Sequence, residues 1–162
     1  MEHTLSRRGF LTGGRATTAP RPAGPRPPWA VADFAQRCDG CGACVTACPL
    51  RLIETDSDRR PAMNFNQGGC DFCGACARAC PSGALGQSGT PATAWPHKAV
   101  VGAGCLAVKG VTCQVCADFC EPRALHLPLM VGGRRLPLIK TTTCTGCGGC
   151  VAPCPTHAIT LA

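Results

Sequence analysis

Apolar residues come in short runs along this chain. "LRLIET" at 50–55 alternates apolar and polar positions, "DSDRR" at 56–60 is polar throughout, and "PAMNF" at 61–65 restores the apolar pattern. Alternation with period two on either side of a polar turn predicts a β-hairpin. The design returns downstream as "ALHLPLM" at 124–130, "VGGRR" at 131–135 and "LPLIK" at 136–140, with Gly132-Gly133 as the turn signal. Short helical turns are expected at "VTACP" (45–49), "CARAC" (76–80) and "VAPCP" (151–155). The longest uncharged apolar stretch, "AVVGAGCLAV" at 99–108, is far short of the ~20 residues that cross a membrane. Two hairpins and a few helical turns predict a small α+β fold.

Composition complicates that picture. Leu, Ile, Val and Phe together make 29 of 162 residues, and tyrosine is absent. That is below the ~20% at which a chain begins to lack a core of its own. The same chain holds 16 cysteines. Something bound by cysteine must therefore take the place of the missing core.

Spacing selects among disulfides, zinc and iron–sulfur clusters. Cys38, Cys41, Cys44 and Cys48 form a C-x2-C-x2-C-x3-C-P run. Cys70, Cys73, Cys76 and Cys80 repeat it, and Cys144, Cys147, Cys150 and Cys154 repeat it again. This is the bacterial [4Fe–4S] run, in which the fourth cysteine ligates the other cluster of a two-cluster module. Structural zinc favours separated pairs, and consecutive C-x2-C steps are poor disulfide geometry. Gly40, Gly42, Gly74, Gly146, Gly148 and Gly149 lie between the ligands, where a tight loop needs backbone freedom.

A fourth quartet is irregular. Cys113, Cys116 and Cys120 match the last three positions of the run, with the proline displaced to Pro122. Gly110 stands where the first ligand belongs, and Cys105 is the spare thiol upstream. The quartet reads as the same motif with a longer first loop; the alternative is a degenerate, cluster-free relic. By spacing, the count is four clusters.

The repeats predict two tandem bacterial-type 2[4Fe–4S] ferredoxin modules with cluster-stapled cores, at 30–90 and 105–162. A Gly/Pro/Ser/Thr-rich linker at 91–104 separates them, and a basic Pro/Gly-rich arm at 1–29, expected to be disordered, precedes them. Crossed ligation then predicts four sets. Cys38, Cys41 and Cys44 go with Cys80, and Cys70, Cys73 and Cys76 with Cys48. Cys105, Cys113 and Cys116 go with Cys154, and Cys144, Cys147 and Cys150 with Cys120.

Charge changes little. The formal +7 suggests a nucleic-acid partner only until clusters are counted, because each oxidised cluster with its thiolates carries about two negative charges. The arm contains "SRRGFLTGG" at 6–14, which has the twin-arginine start of an export signal. Only Phe10 and Leu11 are strongly apolar before Arg15 interrupts, so the apolar run such a signal needs is missing. The expected location is the cytoplasm. His3, His97, His126 and His157 are scattered and read as surface or strand residues rather than ligands, and Phe72 and Phe119 as shields beside cluster cysteines. Asp71 and Asp118 read as exposed loop residues. No nucleophile–base pair, phosphate loop or paired carboxylate site is present, so no catalysis by this chain is expected.

The chain resembles the NapF family of ferredoxin-type proteins. The matching elements are "SRRGFLTG" at 6–13, "RPPW" at 26–29, the regular cysteine runs, "AW" at 94–95 and the irregular "CLAV" and "TCQVCADFCEP" segments. The resemblance implies a cytoplasmic iron–sulfur accessory protein. Its implied partner is the precursor of NapA, the catalytic subunit of periplasmic nitrate reductase, matured before export. The alternative is a plain electron carrier in the nitrate reductase and quinol pathway. A disordered basic arm favours the accessory role, since a simple carrier needs none. Family descriptions often count three clusters; the spacing here argues for four.

Overall fold

The computed structural model describes residues 24–86 and 90–162. Most of the expected arm, 1–23, and residues 87–89 of the expected linker lie outside the described residues.

The first half is built as the alternation predicts. Helix α1 (Phe34–Arg37) buries Phe34, and α2 (Ala43–Ala47) starts at Gly42, whose φ of 76° only glycine adopts without strain. Strands β1 (Ile53–Thr55) and β2 (Pro61–Met63) pair antiparallel with Ile53 opposite Met63. A 3-10 turn (Phe65–Gln67) leads to α3 (Ala75–Arg78), which packs on α2. The core is Phe34, Leu52, Ile53, Met63, Phe65, Ala84 and Leu85 with the buried cysteines.

The second half repeats the plan with smaller side chains. Helix α4 (Val115–Asp118) precedes β4 (Leu125–His126), which pairs with β5 (Leu138–Ile139). Its core is mostly alanine: Ala99, Ala107, Ala124 and Ala158 with Leu125, Leu127 and Ile159. The residues at 151–155 form hydrogen-bonded turns rather than a helix. Pro153 and Pro155 supply no N–H there and stop a helix from propagating.

Two expectations for the connections need correction. Residues 24–29 are not disordered. Pro27, Pro28 and Trp29 are buried, Met63 N–H donates to the Pro25 carbonyl (2.8 Å), and Trp29 N–H donates to the Ala94 carbonyl (2.7 Å). Burying an indole and two proline rings outweighs the ordering of six residues, three of them prolines whose φ is already fixed. Nor is 91–104 a free linker. It holds a 3-10 turn (Pro91–Thr93), the buried Trp95, and strand β3 (Ala99–Val101). Strand β3 pairs antiparallel with the C-terminal β6 (Ile159–Leu161), so the second unit closes on residues upstream of its first cysteine.

The two halves touch. Trp29, Phe72, Trp95 and Phe65 form a chain of edge-to-face aromatic pairs with centroids 5.6–6.2 Å apart. The Trp95 indole N–H reaches across to the Thr145 carbonyl at 3.0 Å. Gly69 lies so close to Gly149 that a Cβ would stand 2.7 Å from the Gly149 nitrogen.

Candidate metal centres

Cysteines converge on four cavities, and each cavity draws from two runs. Cys38, Cys41 and Cys44 line one together with Cys80. Cys70, Cys73 and Cys76 line a second with Cys48. Cys105, Cys113 and Cys116 line a third with Cys154. Cys144, Cys147 and Cys150 line a fourth with Cys120. These groupings coincide with the crossed sets expected from spacing. The irregular quartet is placed like the others: the chain coils through hydrogen bonds from Lys109 N–H to the Cys105 carbonyl (3.1 Å) and from Val111 N–H to the Leu106 carbonyl (2.9 Å), returning Cys113 to the side of Cys105.

One local geometry recurs at all four remote cysteines. Three residues after each, the backbone is left-handed: Arg51 (φ 52°), Gly83 (65°), Arg123 (50°) and His157 (49°). In every case that residue's N–H donates back to the cysteine carbonyl, at 2.9–3.4 Å. The turn aims the next N–H at sulfur. Leu52 N–H donates to Cys48 Sγ (3.4 Å), Ala124 to Cys120 Sγ (3.2 Å) and Ala158 to Cys154 Sγ (3.3 Å). Cys120 keeps this geometry with Glu121 in place of the adjacent proline. Sequence reasoning missed Arg51, Arg123 and His157 as part of the site. The signal available was positional, the third residue after the remote cysteine, where only Gly83 betrays the conformation by its identity.

The near cysteines are held by side chains of their own loops. Asp39 Oδ1 accepts from Cys41 N–H and Asp71 Oδ1 from Cys73 N–H, both at 3.1 Å. The Cys41 N–H holds the Asp39 carboxyl below its ordinary range. Phe72 lines the second cavity and joins the aromatic chain, as a shield should. Phe119 does not shield: it is 61% exposed, because the second half offers no aromatic neighbour for it to pack against. His97, His126 and His157 line none of the four cavities, and His3 lies outside the described residues.

Electrostatics divides the thiols. Burial pushes Cys70 and Cys150 up to about 12, and Cys76 and Cys116 up to about 11. Burial also opposes ionisation of Cys80, but the Leu85, Ala84 and Ser82 N–H groups and the Ser82 hydroxyl outweigh it and hold the thiol below its ordinary value. Cys154 behaves alike, with Ala158, Ile159 and Thr156 in those roles. Cys70, Cys76, Cys116 and Cys150, raised by burial, ionise readily only when metal takes the place of the proton.

The donor set fits iron–sulfur clusters. All four sites present thiols against apolar walls, and N–H groups point at sulfur as they do around such clusters. Among the described residues, no three Cys, His, Asp or Glu side chains converge tightly enough to hold a single ion.

Comparison with known proteins agrees. The 4Fe-4S dicluster domain family matches residues 37–84, and the 4Fe-4S binding domain family matches 137–160. The ferredoxin-type protein NapF of Escherichia coli K12 is 38% identical, over 99% of this chain and 96% of its own length. The chain belongs to the NapF family of ferredoxin-type proteins. NapF of Haemophilus influenzae is 36% identical over 97% of this chain and 93% of its own length. The methylamine utilization ferredoxin-type protein MauM of Methylobacillus flagellatus is 33% identical over 86% of this chain and 68% of its length. This NapF-family chain is therefore an iron–sulfur protein of the [4Fe–4S] type. Residues 105–120, the irregular quartet, fall outside both domain matches.

Proposed function

We propose that this chain is a four-cluster accessory protein that acts in the cytoplasm on the precursor of the catalytic subunit of periplasmic nitrate reductase, building or reducing that subunit's own cluster before export. The four all-thiol cavities, each drawn from two cysteine runs, carry the reading. Cys38, Cys41, Cys44 and Cys80 hold one cluster, and Cys48, Cys70, Cys73 and Cys76 the next. Cys105, Cys113, Cys116 and Cys154 hold a third, and Cys120, Cys144, Cys147 and Cys150 a fourth. The first pair makes one ferredoxin module and the second pair, with β3, makes its tandem partner.

A bound [4Fe–4S] cluster supplies reversible one-electron storage. The chain's own residues do the rest. Thiolates fix each group in place. The Leu52, Ala124 and Ala158 N–H groups stabilise negative charge on sulfur. Leu52, Ile53 and Met63 exclude water from the second cavity. With no nucleophile–base pair in its sequence, the chain is a carrier or accessory rather than a catalyst.

Relatives named ferredoxin-type protein NapF match nearly the whole chain, which supports the iron–sulfur role that both readings share. A plain electron carrier is the second reading. The bond from Cys70 N–H to the Cys147 carbonyl (2.7 Å) favours it, because it sets a cysteine of the second cavity beside one of the fourth. One experiment separates them. Anaerobically purified protein, expected to hold about sixteen iron atoms, is mixed with the cluster-free precursor, and nitrate reductase activity is followed. Activation that persists after an unrelated reduced ferredoxin has failed supports the accessory role; equal activation by both leaves only the carrier.

A further inference from the structure

The two hairpins are built alike and finished differently. In the first, Asp56 N–H donates to the Arg60 carbonyl (2.8 Å); in the second, Met130 N–H donates to the Arg134 carbonyl (2.7 Å). The first tip is Asp56-Ser57-Asp58-Arg59-Arg60, and its carboxylate is occupied by Arg26 and by the N–H groups of Asp58 and Arg60. The second tip is Met130-Val131-Gly132-Gly133-Arg134. Val131 is wholly exposed, Leu129 is 65% exposed and Met130 42%. Nothing in the packing of this half asks for apolar residues at those positions, as the polar first tip demonstrates.

The tip is joined to a second feature peculiar to this half. Arg134 Nη2 donates to the Val108 carbonyl at 3.0 Å, tying the hairpin to the lengthened loop after Cys105. That loop exposes Val108 and Val111. Arg135 Nη1 donates to the Leu127 carbonyl (2.9 Å), and Leu129 bridges Arg135, so the projection is held. Leu127 and Pro137, at its base, line the third cavity with Cys105, Cys113, Cys116 and Cys154. The hairpin tip and the lengthened loop thus lie together beside the third cavity.

Charge says what fits it. From residue 122 to 162 the chain has no Asp or Glu, and exposed Lys109, Arg134 and Arg135 flank the apolar residues; the exposed acids of this half, Asp118 and Glu121, lie at and just beyond the end of α4. A second copy would bring the same cations against themselves. An apolar anchor site inside a single-sign rim matches a protein surface of opposite charge. We propose that Leu129–Val131 with Val108 and Val111 is the docking surface for an acidic face of the client protein, which it seats next to the third cavity. The identity of the client rests on the function proposed above; the surface and its charge preference rest on the residues just named.

The test uses the full-length, cluster-loaded protein and the purified precursor of the nitrate reductase catalytic subunit as probe, with binding measured at low and high salt. Wild type is expected to bind, more weakly as salt screens the rim. The M130D/V131D variant should lose about tenfold or more in affinity, and R134E/R135E a comparable factor. Ser57→Asp in the first tip should bind as wild type does. Iron content and visible absorption of every variant must match wild type. Wild-type binding that M130D/V131D retains overturns the surface and leaves the client standing. Failure of wild type to bind overturns the client, and with it this docking. Binding to vesicles of phosphatidylglycerol, but not to the precursor, that the same variant abolishes would make the surface a membrane contact and overturn the protein partner.

Discussion

The backbone N–H of Cys70 donates to the carbonyl oxygen of Cys147 at 2.7 Å, so a residue lining the second cavity is bonded to one lining the fourth. Glycines line the approach around this bond. Gly69 faces Gly149, and Gly148 faces the Phe65 ring. The closeness of the two halves depends on glycine at these places.

That dependence is measurable against an internal control. Gly148 (φ +80°) and Gly132 (φ +85°) share a left-handed backbone, but a Cβ at Gly148 strikes Phe65 whereas one at Gly132 meets open space. Gly132→Ala should cost only the backbone strain, about 1–2 kcal/mol. Gly148→Ala should cost clearly more in denaturant unfolding, and should weaken the magnetic interaction between clusters of the two halves in EPR. Equal costs would mean that the contact carries no weight.

Crossed ligation makes its own demand. Cys48 lies in the first run yet lines the cavity of Cys70, Cys73 and Cys76. Cys48→Ser should damage that cluster and spare the one at Cys38, Cys41, Cys44 and Cys80. EPR on single variants reads this directly, and selective loss of the cluster at Cys38 would reverse the assignment.

The left-handed turn after each remote cysteine is strained wherever it is not glycine. Arg123 (φ 50°) follows Cys120, the one remote cysteine without an adjacent proline. Arg123→Gly should be neutral or stabilising by up to about 1 kcal/mol, the strain relieved being partly offset by glycine's greater freedom when unfolded. Arg123→Val, whose branched side chain resists this conformation, should destabilise the chain and lower iron content toward three clusters. Thermal unfolding with iron analysis checks both.

The segment before α1 is a structural element. Trp29 is 7% exposed, so Trp29→Ala should cost about 3–5 kcal/mol. Arg26 lies over the Phe34 ring and pairs with Asp56 at 2.6 Å. The Arg60 N–H, against some opposition from burial, and then Arg26 hold the Asp56 carboxyl below its ordinary value. A lowered value means that this contribution is complete above about pH 4 and lost as pH falls further. Asp56→Asn should therefore lower the unfolding midpoint at pH 7 and shift it progressively less as pH falls below about 4. A deletion meant to probe the leading basic segment should end at residue 23, since removing 1–29 takes Trp29 from the core.

Spacing alone made the four cysteine groupings legible, because wrapping a small group by thiolates constrains sequence separation tightly. The hairpins were legible from alternation at 50–65 and 124–140. Strand pairing between Ala99–Val101 and Ile159–Leu161 was not, since nearly sixty residues separate the partners and no turn signal links them. Pro27 and Pro28 looked like part of a disordered arm, yet their stiffness lowers the cost of burying Trp29 beside them. Phe72 and Phe119 occupy similar places beside cysteines and differ in burial, because only Phe72 has Trp29 and Trp95 to meet.

The aromatic chain between the halves contains both tryptophans of the protein, Trp29 and Trp95. Indole emission from this chain therefore originates at one boundary and nowhere else. Fluorescence intensity becomes a ruler for the closeness of that boundary to the quenching chromophores on either side, without any label being added.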